Sequence, residues 1–379
     1  MPVKICVIDD WIDWKALHKL VPYYQEHFPV KKLEGSGGYK GTTSSPSLPI
    51  THGTLCTALL IEGLHEKGVW EQVEISGLMM NHEYASHSFR TLIRALQFCI
   101  TQKYNIISMS LGMYHLLYAK QMIPLLHQLQ SRAVLVAAAS NDLKLTYPAA
   151  FPCVLGVKRQ IGNNGVSQKL VKLVHNPIDG IELVVPYTET AVLKSLKDKY
   201  NLNYETSNSI LVPQICAEIA YILTQNQMLP PKESIPALFN VQTVKAEEFG
   251  EAASALPIAV SENDIPVLLF RYAIQDYDYV MLLGQRLQNQ FEYKGYTCAI
   301  LCDFFSQSDF ETGWYHLSKR DVNNCIRYYQ KVVSDSAVLI FANRELAEQI
   351  SYDLVIDYGT LSDDMDIKSL FNRIIDDFS

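Results

Sequence analysis

The chain has 379 residues, of which 48 % are hydrophobic and 19 % charged, a balance that excludes a disordered polypeptide and a length that predicts two domains, each with its own core. A formal net charge of −8, with Lys and Arg scattered along the chain, argues against a nucleic-acid partner, and no uninterrupted apolar stretch of about 18 residues is present to span a bilayer. The eight cysteines stand singly, without the paired spacing of a zinc or redox motif, and read as reduced core thiols.

In chain order, Val3–Ile8 reads as an apolar strand with no basic or apolar leader ahead of it, so a cytoplasmic location is expected. The Gly- and Ser-rich stretch from 35 to 47 reads as a loop, and because Lys40 is not preceded by Gly it fails the pattern of a phosphate-binding loop. Strands are predicted at Val73–Met79, Ile106–Ser110, Ala133–Ala138 and Val154–Val157, and helices at His52–His65, Ser88–Gln102, Tyr118–Gln130 and Ser209–Gln225. This alternation is how a parallel sheet with crossover helices reads, and it assigns residues 1–225 to a first α/β domain.

Residues 226–264 hold Pro230-Pro231, several charges and little periodicity, and read as a connector. The alternation then restarts: strand Pro266–Phe270, helix Tyr277–Phe291, strand Thr297–Leu301, helix Lys319–Val333, strands Ala337–Phe341 and Leu354–Ile356, and a last helix from Ser362. Residues 265–379 are therefore expected to form a second, smaller α/β domain. Its first strand-to-helix turn, from Arg271 to Asp276, has no glycine to cradle a phosphate. Asp363, Asp364 and Asp366 are expected to cap the last helix and complement its positive end, not to bind a cation.

Three stretches of the first domain supply an acid, an imidazole and a hydroxyl. Val7-Ile8-Asp9 delivers a carboxylate at the C-terminal end of a strand, the edge at which open α/β sheets bind ligands. Thr51-His52-Gly53-Thr54 opens a helix, with Gly53 leaving room beside the imidazole for another backbone or a substrate to approach. Ser207-Asn208-Ser209 precedes another helix, with Pro213 in its first turn. Each stretch also has a plainer reading, as a strand-ending turn, a Thr51 cap and a serine cap. A fourth, Ala133–Asn141, is a buried strand that ends in an amide side chain able to hold a developing oxyanion.

Together these segments resemble the subtilisin-like serine proteases, the subtilase family (peptidase S8), across about residues 1–225. The chain order Asp, His, Ser is that of this class. Val-Ile-Asp9 is similar to its Asp motif, His52-Gly53-Thr54 to its His-Gly-Thr helix, and Ser108-Met109-Ser110-Leu111-Gly112 to its substrate-pairing strand. Ala137-Ala138-Ala139-Ser140-Asn141 is similar to the segment bearing its oxyanion asparagine, and Ser209-Ile210-Leu211-Val212-Pro213 to its nucleophile helix.

The resemblance implies a three-layer α/β fold, a parallel sheet with helices on both faces. It also implies a triad of Asp9, His52 and Ser209, with Asn141 and the Ser209 N–H around the oxyanion. Ser110, Leu111, Gly112, Ala138, Ser140, Ser207 and Asn208 are expected to bind substrate. Counting back from Pro213 puts Ser209, not Ser207, at the nucleophile position. No metal or organic cofactor is expected, and the implied partner is a peptide or protein substrate, such as a ribosomally made precursor peptide that loses its leader. Three departures stand out: Asp10-Trp11 replaces Thr/Ser-Gly after the aspartate, Ser140 replaces a glycine before the amide, and Ser207-Asn208 replaces Gly-Thr before the nucleophile. The last two are expected to place side chains in the walls of the first specificity pocket and narrow it. The alternative they allow is an inactive peptide-binding protein on the same scaffold.

Overall fold

Strand β1 (Val3–Asp9) is buried from Ile5 to Asp9, as a central parallel strand covered on both faces must be. The computed structural model describes residues 2–22, 30–32, 50–80, 85–160, 170–226, 232, 241–245, 251–252, 265–273, 276–333, 335–360 and 366–378. The loop expected at 35–47, most of the expected connector, and Ser362, Asp363 and Asp364 lie outside these residues. Among them, β1 joins β2 (Val30–Lys32), β3 (Val73–Met79), β4 (Ile106–Met109), β5 (Val134–Ala138), β6 (Leu155–Arg159), β7 (Val171–Val174), β8 (Leu183–Val185) and β9 (Val241–Val244) in a nine-stranded sheet. The order is β2-β3-β1-β4-β5-β6-β8-β7-β9, parallel at every pairing except β7 with β8.

The helices along this stretch of the chain are α1 (Trp14–Leu20), α2 (His52–Glu66), α3 (Ala85–Thr101), α4 (Leu116–Ala119), α5 (Ile123–Gln130), α6 (Ala191–Tyr200) and α7 (Leu211–Asn226), of which α4 belongs to the second compact unit described below. The helix expected over Tyr118–Gln130 is broken instead into α4, a single 3₁₀ turn and α5. Pro124, in the first turn of α5, has no N–H with which to continue a helix from the preceding turn. Helix α7 is apolar nearly all round because it is buried among α2 and strands β4, β5 and β6. The two helices approach so closely at Gly63 that an added Cβ there would stand 2.9 Å from the Ala217 Cβ. Leu55, Leu59, Leu60, Leu211, Ile215 and Ile219 join one core cluster under them, each worth about 1.5–3 kcal/mol in removed apolar surface.

The chain divides into two compact units, the first comprising Met1–Met113, Gln121–Asn141 and Thr146–Lys245 and the second Tyr114–Lys120, Asp142–Leu145 and Ala246–Ser379. Strand β9 lies within the segment read as a connector, and its pairing with β7 makes it an edge strand of the first sheet. In the second unit β10 (Val267–Tyr272), β11 (Cys298–Cys302), β12 (Trp314–His316), β13 (Ala337–Asn343) and β14 (Leu354–Asp357) form a parallel sheet in the order β12-β11-β13-β10-β14. Its core is aromatic, with Phe270 stacked on Phe341 at 4.8 Å between centroids. The last helix, Ile367–Asp377, is capped by Asp366, whose carboxylate accepts from the Lys368 N–H.

Candidate active site

Asp9 is the last residue of β1 and His52 the first of α2, and the turn after β1 is fastened to that helix. The Asp10 carboxylate accepts from the N–H groups of Gly53 (2.5 Å) and His52 (3.2 Å), two of the donors that a helix N-terminus leaves unmet. Thr51 caps the same helix through the Thr54 N–H and donates its hydroxyl to the Trp11 carbonyl. Gly53 is required by this junction: a Cβ would lie 2.9 Å from Asp10 Oδ1 and 3.2 Å from Asp9 Cβ. Trp11, standing where the family pattern has a glycine, turns outward and is half exposed.

The imidazole bridges the other two groups. His52 Nδ1 lies 2.8 Å from Asp9 Oδ1, and Nε2 lies 2.8 Å from Ser209 Oγ. Asp9 Oδ1 also accepts the Asp10 N–H at 2.8 Å, whereas Oδ2 has no hydrogen-bond partner among the described residues. The Asp9 side chain is 4 % exposed and that of His52 35 %, so the carboxylate is sealed while the imidazole reaches solvent.

The Cys56 sulfur, 3.8 Å from either ring nitrogen, and the Asp9 carboxylate raise His52 above its ordinary 6.5, against the burial that would lower it. Burial also raises the Cys56 thiol. Asp9, His52 and Cys56 bring three possible metal-ligating atoms within 4.8 Å of one another, but a cation there would compete with the hydrogen bonds just described.

Ser209 sits in the turn two residues ahead of α7, not inside the helix as its sequence pattern predicts. Its carbonyl accepts from the Ser110 hydroxyl at 3.1 Å, so Ser110 also fixes the backbone of the turn. Leu111, half-buried, and Gly112, exposed, carry the chain from Ser110 to Met113, whose N–H and C=O pair with Tyr147. Ala138 ends β5 and is buried; Ser140, also buried, donates its N–H to Thr146 Oγ1 at 3.1 Å. Asn141 is exposed, and its Oδ1 accepts from the Asn208 N–H at 2.7 Å, which turns its Nδ2 donors away from that bond.

Asn208 is placed differently from the expectation that it lines a pocket. It is 3 % exposed, with Nδ2 donating to the carbonyls of Ser140 (2.6 Å) and Ala139 (3.3 Å) and Oδ1 accepting the Arg159 N–H (2.8 Å). A side chain with both ends so engaged ties the ends of β5 and β6 to the Ser209 turn. Ser207 is half-buried, with its Oγ 2.8 Å from Ser209 Oγ. Sequence reasoning passed over Asp10 and Cys56. The signals were present: Asp10 adjoins Asp9, and Cys56 is four residues on from His52, on the same helix face.

Residues 2–233 match the subtilase family, peptidase S8. Among solved structures the chain is similar to that of the prenylagaramide maturation protease PagA (18 % identity, 62 % of this chain and 82 % of that one, TM-score 0.41). It is also similar to a lanthipeptide protease (14 %, 62 % and 77 %, TM-score 0.41) and to a cold adapted subtilisin-like serine proteinase (17 %, 62 % and 79 %, TM-score 0.40). No curated protein matches the sequence. With the family match covering well over half of its length, the chain belongs to the subtilases, a family of serine proteases.

Proposed function

We propose that the protein is a serine endopeptidase in which Ser209 is the nucleophile, His52 the general base and Asp9 the residue that orients and charges the imidazole. The observation that carries this reading is the unbroken chain of 2.8 Å contacts from Asp9 Oδ1 through both nitrogens of His52 to Ser209 Oγ. Ser209 Oγ attacks a peptide carbonyl while its proton passes to Nε2, and the carbonyl oxygen takes the electron pair. The imidazolium then gives that proton to the leaving amine as the C–N bond breaks, and water repeats the sequence to release the acid. The Asn141 amide and the Ser209 N–H are the donors for the oxyanion, an arrangement worth about 3–4 kcal/mol in a known serine protease.

Ser110, Leu111 and Gly112 take the substrate backbone as an added strand. Ser207 beside the nucleophile and Ser140 at the amide support a narrow specificity, because both positions carry a side chain where the family pattern has none. The substrate in this reading is a small precursor peptide that loses its leader, and the second unit, which has a core of its own, has the role of recognising it. Among the described residues no helix is long and apolar enough to cross a membrane.

The test is a fluorophosphonate probe read by intact mass. Wild type is expected to gain one adduct on Ser209 and Ser209→Ala none. Absence of an adduct at every pH from about 6 to 9, where a histidine base operates, leaves a peptide-binding protein on the same scaffold. Peptides retained by Ser209→Ala identify the substrate class.

A further inference from the structure

We infer that Ser207 is a positioning residue for the nucleophile, donating its hydroxyl proton to Ser209 Oγ. The inference rests on Ser209 being the nucleophile and follows from counting protons. Ser209 Oγ has one proton and two neighbours at 2.8 Å, His52 Nε2 and Ser207 Oγ. The partner of His52 Nδ1 is a carboxylate, which only accepts, so Nδ1 carries the ring proton. In the neutral imidazole Nε2 is then an acceptor, and Ser209 is the donor that faces it. With its proton committed to Nε2, Ser209 can bond Ser207 only as an acceptor. In the neutral imidazole, the state that can act as base, the direction therefore runs from end to end: Ser207 to Ser209, Ser209 to His52, His52 to Asp9.

This arrangement does two things that a glycine at 207 cannot do. It holds the Ser209 hydroxyl in the one rotamer that points its proton at the base, and it keeps that proton from turning toward the cleft. It also leaves a donor on the oxygen as that oxygen gives up its proton to Nε2 and bonds to the carbonyl carbon. The same donor remains when the ester oxygen departs and takes the proton back. No bond to Ser207 forms or breaks at any step, and its proton stays in place. The tether is short: Ser207 is two residues from Ser209, and Asn208 between them is held on both its amide ends. The donor cannot drift from the acceptor without pulling that buried side chain out of its partners.

A pocket-wall role predicts something different, namely sensitivity to the size of the group that enters the pocket. The experiment uses two probes on the full-length protein: diisopropyl fluorophosphate, whose small substituents demand little of a pocket, and a long-chain fluorophosphonate. Ser207→Ala and Ser207→Gly are each expected to slow phosphonylation by diisopropyl fluorophosphate about three- to tenfold, the worth of one neutral hydrogen bond. Ser207→Thr, which keeps the hydroxyl, is expected to restore the rate, and thermal melts of all three show whether the fold is kept. An unchanged or faster rate in the alanine and glycine variants overturns the inference. So does slowing confined to the long-chain probe, or a threonine variant as slow as alanine. Labelling of wild type with no effect at 207 removes this inference alone, whereas failure of wild type to label removes the nucleophile itself.

Discussion

Both sheets of the molecule place a buried aspartate at the C-terminal end of a parallel strand, and only one of the two aspartates leads outward. Asp9, at the end of β1, bonds an imidazole that is one-third exposed and that bonds in turn to a hydroxyl, and one of its oxygens has no hydrogen-bond partner among the described residues. Asp303, one residue beyond β11, closes on its neighbours: Oδ1 accepts the Tyr272 hydroxyl at 2.5 Å, and Oδ2 accepts the Asn343 side-chain amide at 2.5 Å and its backbone N–H at 3.3 Å. Those partners end β10 and β13, so this carboxylate ties three adjacent strands together. Burial and the adjoining Asp303 push the Tyr272 hydroxyl far above its ordinary range, which keeps it a fixed donor. The difference is one of connection: the partner of Asp9 is one-third exposed and bonds onward to a hydroxyl, whereas the partners of Asp303 are donors that end the chain of contacts.

The comparison breaks most readily at Asp9. Asp9→Asn is expected to lower the phosphonylation rate about 10⁴-fold, as loss of the triad carboxylate does in other Ser-His-Asp sites, and a fall under tenfold removes the orienting role. Asp303→Ala is expected to do the reverse. It should cost about 2–4 kcal/mol in a urea melt, because a buried hydroxyl and amide lose their charged partner, with labelling of the folded protein at Ser209 unchanged. Gly53→Ala sharpens the contrast from the first sheet's side. The added methyl would press on Asp10 and Asp9, and a loss of about 1–3 kcal/mol is expected, accompanied by slower labelling.

The smallest effect is in pH. Because His52 is raised above 6.5 by its neighbours, the labelling rate should climb with pH and level off only above that value. In Asp9→Asn the midpoint should move down. The linked stability has the opposite slope: the protonated His52 contributes fully below 6.5, and the contribution fades as pH rises through the folded value. A rate profile centred at 6.5 in both proteins would remove the charge coupling.

Much of the first sheet was legible from sequence because its strands either are apolar runs ended by small or polar residues, as at Val134–Ala138 before Ser140-Asn141, or alternate apolar with polar residues at their start, as at Val73–Met79. The strands of this sheet that escaped are short: β2 is Val-Lys-Lys and β8 Leu-Val-Val, and β7 and β9 have four residues each, too few to carry a period. Helix α6 escaped despite clear marks, a Thr190 cap at one end and left-handed Asn201 at the other. The spacing of Asp9, His52 and Ser209 along the chain says only that three motifs exist; the resemblance said they meet. What sequence could not supply was the direction of each side chain. Asn208 was expected to face the cleft and instead sits buried among Ala139, Ser140 and Arg159, where every polar atom finds a partner. The backbone carbonyls that draw it inward have no sequence signature.

The close approach of Gly63 to Ala217 acts as a ruler for the site. His52 is eleven residues up α2 from that contact, about 16 Å at the rise of an α-helix, and the Ser209 turn leads into the helix on its other side. A methyl group added at position 63 would part the two helices at a point remote from the reacting atoms. It would thereby stretch the gap between the nitrogen and the oxygen that it never touches. The reach of the proton is thus set in the interior, by a residue whose contribution is to have no side chain.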